Sequence, residues 1–119
     1  MKSGWKEYKG KRYFFSDYSG FGMDFQSLKT EVNAVDELIM QEPEDSVINL
    51  IDFRNTVGSV EAVDLFKQNA SRTRKYIRKN AILGISGLRK ILLDAVTRLT
   101  GQVAQTFEDE EKAKDWLVS

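Results

Sequence analysis

The chain has 119 residues, of which 41% are hydrophobic and 30% are charged. This size and composition are typical of one globular domain, and we expect a single domain over residues 1–119. The sequence contains neither cysteine nor histidine, which excludes disulfides, Ser-His and Cys-His catalytic pairs and the usual zinc sites. We therefore predict a protein that is not an enzyme and that uses no metal or cofactor.

Acidic and basic side chains balance to a formal net charge of zero, but they are distributed unevenly along the chain. Residues 21–64 carry ten acidic and two basic side chains, whereas residues 65–100 carry nine basic and one acidic. If these blocks stay apart in the fold, the molecule is dipolar and can steer a charged partner. The alternative is that neighbouring helices of opposite charge neutralise each other on a solvated surface.

The sequence shows no segment typical of secretion or membrane insertion. Residues 1–7 lack the apolar core of a signal peptide, and no stretch approaches the roughly 20 apolar residues of a membrane span. We therefore expect a cytoplasmic protein without a membrane span.

The first elements in the chain are predicted to be a hairpin and a helix. Two β-forming segments, 5–8 and 12–15, flank a glycine at position 10 and predict the hairpin. The helix is predicted to begin after a cap at Asp24 and to end before Pro43. Its apolar residues share one face, which we expect to be buried: Leu28, Val32, Val35 and Ile39. Its acidic residues are predicted to form the outer face: Glu31, Asp36, Glu37 and Glu42.

A second β-α unit follows. The apolar run 47–53 predicts a strand, and Ser59 is placed to cap the next helix. The apolar positions of that helix are predicted to be Val60, Val63, Phe66 and Ala70. The basic run 72–79 that comes next could contact nucleic acid, but we interpret it as a solvated connection.

Two further β-α units complete the chain. The apolar run 81–85 predicts a strand covered on both faces, which turns at Ser86-Gly87 into an amphipathic helix. Residues 102–107 predict a weaker edge strand, and four acidic residues, 108–111, open a final helix with Ala113, Trp116 and Leu117 facing inward. Six residues are expected to be buried in the core: Ile48, Leu50, Ile82, Leu83, Ile91 and Leu92. A hairpin followed by β-α units predicts an α/β domain with a mainly parallel sheet.

Four segments, 51–54, 60–63, 82–88 and 107–117, resemble the SpoIIAA-like group of small bacterial STAS and CRAL-TRIO-type domains. The resemblance covers about residues 8–118. It implies a right-handed β-α superhelix of four mainly parallel strands with helices packed against the sheet, preceded here by an extra N-terminal hairpin strand. It also implies a bacterial interaction or regulatory module.

Anti-sigma-factor antagonists of this group carry a phosphorylatable serine in an Asp-Ser-Ser-Gly-Leu-type turn after an internal strand. This chain has a different turn, 54–59, after the strand that ends near Asp52, and a Ser86-Gly87-Leu88 match after the following strand. The resemblance therefore implies Ser59 as the candidate phosphorylation site, where a phosphate would lie at a helix N-terminus.

Ligands of open parallel sheets bind beyond the carboxyl ends of the strands. Candidate binding residues at those ends are Asp17, Asp52, Arg54, Asn55, Ser86, Gly87 and Arg89. The Ser86-Gly87 turn exposes backbone N–H groups at a helix N-terminus, and Arg89 and Arg54 could add charged donors for an anion. The alternative is that Ser86 only caps its helix and Gly87 only permits close packing.

Three functions are open at this point. The favoured one is a non-catalytic module that docks a protein partner, and the alternative is a binder of a small anionic or lipid-like ligand at the rim of the sheet. The third is a hydrolase or transferase that uses Asp17 and Asp52, but capping and turn hydrogen bonds explain single aspartates equally well. We expect no nucleic acid partner, and the oligomeric state is open between monomer and homodimer.

Overall fold

A computed structural model describes residues 1–84 and 103–119. The predicted turn at Ser86-Gly87 and the predicted core residues Ile91 and Leu92 lie outside the described residues. The elements in chain order are β1 (Gly4–Tyr8), β2 (Lys11–Asp17), α1 (Phe25–Ile39), β3 (Val47–Asp52), α2 (Val60–Thr73), a 3-10 turn (Arg74–Tyr76), β4 (Ile77–Leu83), β5 (Ala104–Phe107) and α3 (Glu110–Val118).

The five strands form one sheet in the order β1-β2-β3-β4-β5. β1 pairs antiparallel with β2, and every later pair is parallel. The turn of the hairpin is two residues long, and both Lys9 (φ 51°) and Gly10 (φ 79°) have the left-handed backbone that such turns require. The predictions of an α/β fold, of an N-terminal hairpin strand and of an edge position for β5 are therefore confirmed.

The two faces of the sheet are covered by different helices. One face packs on α1 and α2 through a cluster that includes Phe14, Val32 and Leu65. The other face packs on α3, where Leu50 and Leu117 belong to a second cluster. The sheet thus lies between two apolar layers, as expected for strands buried on both faces. None of the helices in the described part of the chain is long and apolar enough to cross a membrane.

The predicted stripe of α1 is confirmed, since Leu28, Val32, Val35 and Ile39 are all at most 2% exposed. The predicted acidic outer face is wrong for two of its members. The carboxylate of Glu31 is buried because it accepts hydrogen bonds from the backbone N–H groups of Lys2 and Ser3, at 3.1 and 2.8 Å. Asp36 is buried between α1 and α2, where it pairs with Arg72 at 2.6 Å and accepts a hydrogen bond from Asn69.

The predicted apolar face of α2 is partly wrong. Ala70 is buried, but Val60 is 77% exposed, and the other buried side chains are those of Ala62, Leu65 and Thr73. A helix turns about 100° per residue, so Val60 points about 150° away from the mean direction of the buried residues. Phe66 of the predicted face does pack against the core, with its ring 5.5 Å from that of Tyr18 and 4.6 Å from that of Phe53. Val63 is partly buried, so Val60 is the member of the predicted face that is directed to the solvent.

The core predictions for the strands hold at three of the four positions that lie in the described residues. Leu50, Ile82 and Leu83 are at most 1% exposed. Ile48 is only partly buried, and it lies on the face of the sheet that packs on α3. β4 also begins earlier than predicted, at Ile77, so the basic run 72–79 contains the end of α2, the 3-10 turn and the first strand residues.

Three polar side chains form a buried ladder across β2, β3 and β4. The hydroxyl of Ser16 donates to the side-chain oxygen of Asn49 at 2.7 Å, and the amide nitrogen of Asn49 donates to Asn80 at 3.0 Å. All three are at most 3% exposed. Each hydrogen bond replaces one to water, so these polar groups are tolerated inside the sheet.

Candidate functional site: the carboxyl edge of the sheet

The loops that follow β2 and β3 run side by side beyond the carboxyl edge of the sheet. Backbone N–H groups of Tyr18 and Gly20 donate to the carbonyls of Asp52 and Arg54, each at 2.9 Å. The hydroxyl of Thr56 donates to the carbonyl of Tyr18 at 2.5 Å. The two loops therefore extend the sheet as one hydrogen-bonded ledge on which any site at this edge is built.

Asp17 and Asp52 lie opposite each other at the ends of β2 and β3, as the sequence predicts. The carboxylate of Asp17 accepts hydrogen bonds from the backbone and hydroxyl of Ser19, at 3.1 and 2.5 Å, and lies 3.5 Å from the ammonium of Lys2. Asp52 is 3% exposed and accepts from the backbone N–H of Arg54 at 2.9 Å. Both carboxylates therefore have hydrogen-bond partners within the protein itself.

Arg54 connects the end of β3 with the start of α3. Its guanidinium donates to the carboxylate of Asp52 at 2.8 and 3.0 Å and lies 3.4 Å from Glu110. The hydrogen bond to Asp52 raises the pKa of Arg54 above its usual value, and the charges of Glu110 and Asp17 add to the effect. Glu110 in turn pairs with Lys114 at 3.3 Å, so charges of alternating sign follow this edge.

Asn55 forms part of a turn at this edge. Its φ is 60°, in the left-handed region that asparagine tolerates better than most residues, and its carbonyl accepts a hydrogen bond from Gly22 at 2.9 Å. The structure therefore brings Asp17, Asp52, Arg54 and Asn55 to one edge. Three of the predicted site residues, Ser86, Gly87 and Arg89, lie outside the described residues, so the anion site stays a prediction.

A groove opens at the same edge, between the N-terminal ends of α1 and α2. The groove was not predicted from the sequence. It encloses about 190 Å³. Its walls are mostly apolar and are formed by Gly22, Met23, Asp24, Phe25, Leu28, Val57, Ser59, Glu61 and Ala62. Met23 and Val57 are 87% and 44% exposed, and Val60, in the first turn of α2, is 77% exposed. The signal in the sequence was the presence of apolar residues at turn and first-turn positions, where polar residues are usual.

Both helix starts at the groove carry side-chain caps. The carboxylate of Asp24 accepts hydrogen bonds from the backbone and hydroxyl of Ser27, at 3.1 and 2.6 Å, and these bonds lower the pKa of Asp24. The hydroxyl of Ser59 accepts from the backbone N–H of Ala62 at 3.2 Å. The two predicted caps are therefore confirmed, whereas phosphorylation of Ser59 stays a prediction.

Comparison with known proteins identifies the fold. No protein-family model matches the sequence, and no curated protein matches it. A crystal structure of an uncharacterised protein from the DUF3478 family, from Shewanella loihica PV-4, is described as having a SpoIIAA-like fold; it matches 97% of this chain and 91% of its own, with a TM-score of 0.68 and 17% sequence identity. The chain has a SpoIIAA-like fold.

The SpoIIAA-like fold agrees with the resemblance found in the sequence. At 17% identity the match establishes the fold alone, and function is carried by sites rather than by folds. In residues 1–84 and 103–119, no three histidine, cysteine or acidic side chains converge in an arrangement that could hold a metal ion.

Proposed function

We propose that this SpoIIAA-like domain is a non-catalytic module that docks a protein partner at the groove between α1 and α2. The observation that carries the proposal is an apolar groove lined by the exposed side chains of Met23 and Val57. Exposed apolar side chains grouped around a concave surface are typical of protein contacts. Residues at such sites bind an anchor side chain of the partner.

The size of the groove favours a polypeptide over a small molecule. Pockets for drug-sized ligands and cofactors enclose roughly 300–1,000 Å³, whereas this groove encloses about 190 Å³. It therefore has room for one or two apolar side chains. Leu28 and Ala62 form its floor and are at most 2% exposed, so an inserted side chain would contact atoms that already belong to the core.

The arrangement of the carboxylates supports a non-catalytic role. A hydrolase of the predicted kind would need Asp17 or Asp52 to bind a substrate proton or a water molecule. Asp17 instead holds the turn at Ser19, and Asp52 holds the backbone and guanidinium of Arg54. These bonds fix the ledge on which one side of the groove rests.

The test is site-directed photo-crosslinking in cells that produce the protein. A crosslinking amino acid at Met23 is expected to capture one defined protein, and the same amino acid at Glu37, exposed near the opposite end of α1, is the control. The captured protein is then purified, and its Kd for the wild-type domain is measured by calorimetry.

Met23→Ser is the deciding variant. The side chain of Met23 lines the groove and is exposed, so the substitution should leave the unfolding midpoint nearly unchanged, while the lost apolar contact should weaken binding by about tenfold. An unchanged Kd for Met23→Ser, or equal capture of the same protein from position 37, would contradict the proposal.

A further inference from the structure

We infer that the partner segment is cationic as well as apolar: an amphipathic stretch that places one large apolar side chain in the groove and lysine or arginine against its acidic rim. The acidic rim consists of Asp24 and Glu61. This inference rests on the proposed docking function and specifies the chemistry of the partner.

The charges around the groove have one sign. Asp24 and Glu61 are exposed and line it, and no lysine or arginine does so among the described residues. The lowered pKa of Asp24 keeps it ionised at neutral pH. A cationic side chain placed next to the apolar anchor would therefore gain electrostatic attraction without displacing an existing ion pair.

Two basic side chains at this edge, in the described part of the chain, are directed elsewhere. The ammonium of Lys2 lies 3.5 Å from Asp17 and 4.5 Å from the centre of the Phe21 ring, and it donates to the carbonyl of Ser19. The guanidinium of Arg54 is held by Asp52. Neither cation neutralises the acidic rim through a direct contact, so the negative charge faces the solvent and an incoming partner.

The two helix starts could in principle attract an anion instead. An uncapped helix N-terminus carries about half a positive charge and free N–H groups. Here the side chains of Asp24 and Ser59 already accept from first-turn N–H groups, and Glu61 adds a full negative charge in the first turn of α2. Two full negative charges outweigh two partial positive ones, so the site favours a cation.

The backbone hydrogen bonds of the loops that line the groove favour a helical partner over an added strand. The N–H of Gly22 donates to Asn55 and its carbonyl accepts from Val57, so the loop backbones bond to each other. Recognition must therefore use side chains, which is how an amphipathic helix binds in a groove.

The experiment compares two synthetic 16-residue helical peptides. Both have the same leucine and phenylalanine positions; one carries lysine and arginine at the flanking positions and the other carries glutamate. Affinity is measured by fluorescence anisotropy of the labelled peptides, and the binding site is mapped by NMR shift changes at Met23, Val57 and Ala62. The cationic peptide is expected to bind at least about tenfold more tightly and to weaken as the NaCl concentration is raised.

The matched variants remove two negative charges at different places. Asp24→Asn with Glu61→Gln clears the acidic rim while keeping a helix-capping residue, and it should abolish most of the difference between the peptides. Glu7→Gln with Glu37→Gln makes the same change in net charge on exposed residues of β1 and α1, and it should leave the difference intact.

Three outcomes overturn the inference. They are equal binding of the two peptides, no binding of either, and self-association of the domain that Met23→Ser abolishes, which would identify a second copy as the occupant. The docking function fails on a different result, namely a captured partner whose Kd is unchanged by Met23→Ser.

Discussion

Gly84, directly after β4, lies against the backbone of Arg54, two residues beyond the end of β3. A Cβ atom on Gly84 would lie 2.6 Å from the backbone nitrogen of Arg54 and 2.9 Å from the carbonyl carbon of Phe53. Its φ of +82° is also a conformation that side chains other than glycine disfavour. This contact fixes the separation of the two strand ends and so positions the Arg54 side chain that binds Asp52.

Gly84→Ala is therefore expected to destabilise the protein by about 2–5 kcal/mol in urea unfolding, from left-handed strain plus an overpacked backbone contact. Gly10→Ala is the matched control. Gly10 has nearly the same φ, +79°, but a Cβ there would meet no described atom within 4 Å, so only the strain of about 1 kcal/mol should remain. Equal losses for the two variants would show that the contact with Arg54 does not matter.

Leu83→Ala is expected to cost about 2–5 kcal/mol, because the lost apolar contacts leave a cavity in a fully buried position. Ile48→Ala, on the same face of the sheet but only partly buried, should cost roughly half as much. Denaturant unfolding of both variants measures the difference. A loss below about 1 kcal/mol for Leu83→Ala would refute its assignment to the core.

The stability of the protein should depend on pH through Asp36. Burial raises the pKa of this carboxyl despite the hydrogen bonds from Arg72 and Asn69. Because the folded state then holds the proton more tightly than the unfolded state, Asp36 contributes increasing stability as the pH falls from neutral towards the ordinary value near 3.9.

The measurement is the free energy of unfolding of wild type and Asp36→Asn between pH 7 and pH 4. The wild type should gain stability relative to the variant as the pH falls. A relative loss would mean that the ion pair with Arg72 outweighs burial and lowers the pKa of Asp36.

Glu31→Ala should release the first residues of the chain from α1. The substitution removes the acceptor of the Lys2 and Ser3 N–H groups. Amide hydrogen exchange at Ser3 is expected to accelerate by about tenfold or more. Glu37→Ala, at an exposed site of the same helix, provides the control and should leave that exchange rate unchanged.

The sequence predicted those features of the fold that depend on residues close together in the chain. The caps at Asp24 and Ser59 and the stripe of α1 were predictable because their periodicity and capping hydrogen bonds lie within a few residues. The burial of Glu31 and Asp36 was not, since their partners Lys2 and Arg72 are 29 and 36 residues away. The sequence around a carboxylate does not show whether it is solvated or accepts a hydrogen bond from a donor far away in the chain.

The candidate site also has a part that the sequence predicts and a part that it does not. The placement of Asp17 and Asp52 side by side follows from the order of the strands, which the β-α pattern predicts. The groove depends on how the starts of α1 and α2 converge and on which side of α2 faces the sheet. Neither property is encoded locally, so the exposure of Val60 could be found only in three dimensions.

The buried ladder of Ser16, Asn49 and Asn80 bears on how the strands find their alignment during folding. Parallel strands made of continuous apolar runs can slide past one another and still bury similar side chains on both faces. A slipped pairing would separate the ladder and leave amide groups buried without hydrogen bonds, at about 1–3 kcal/mol each. The three polar residues therefore favour one register of β2, β3 and β4 over slipped registers that would bury a similar amount of apolar surface.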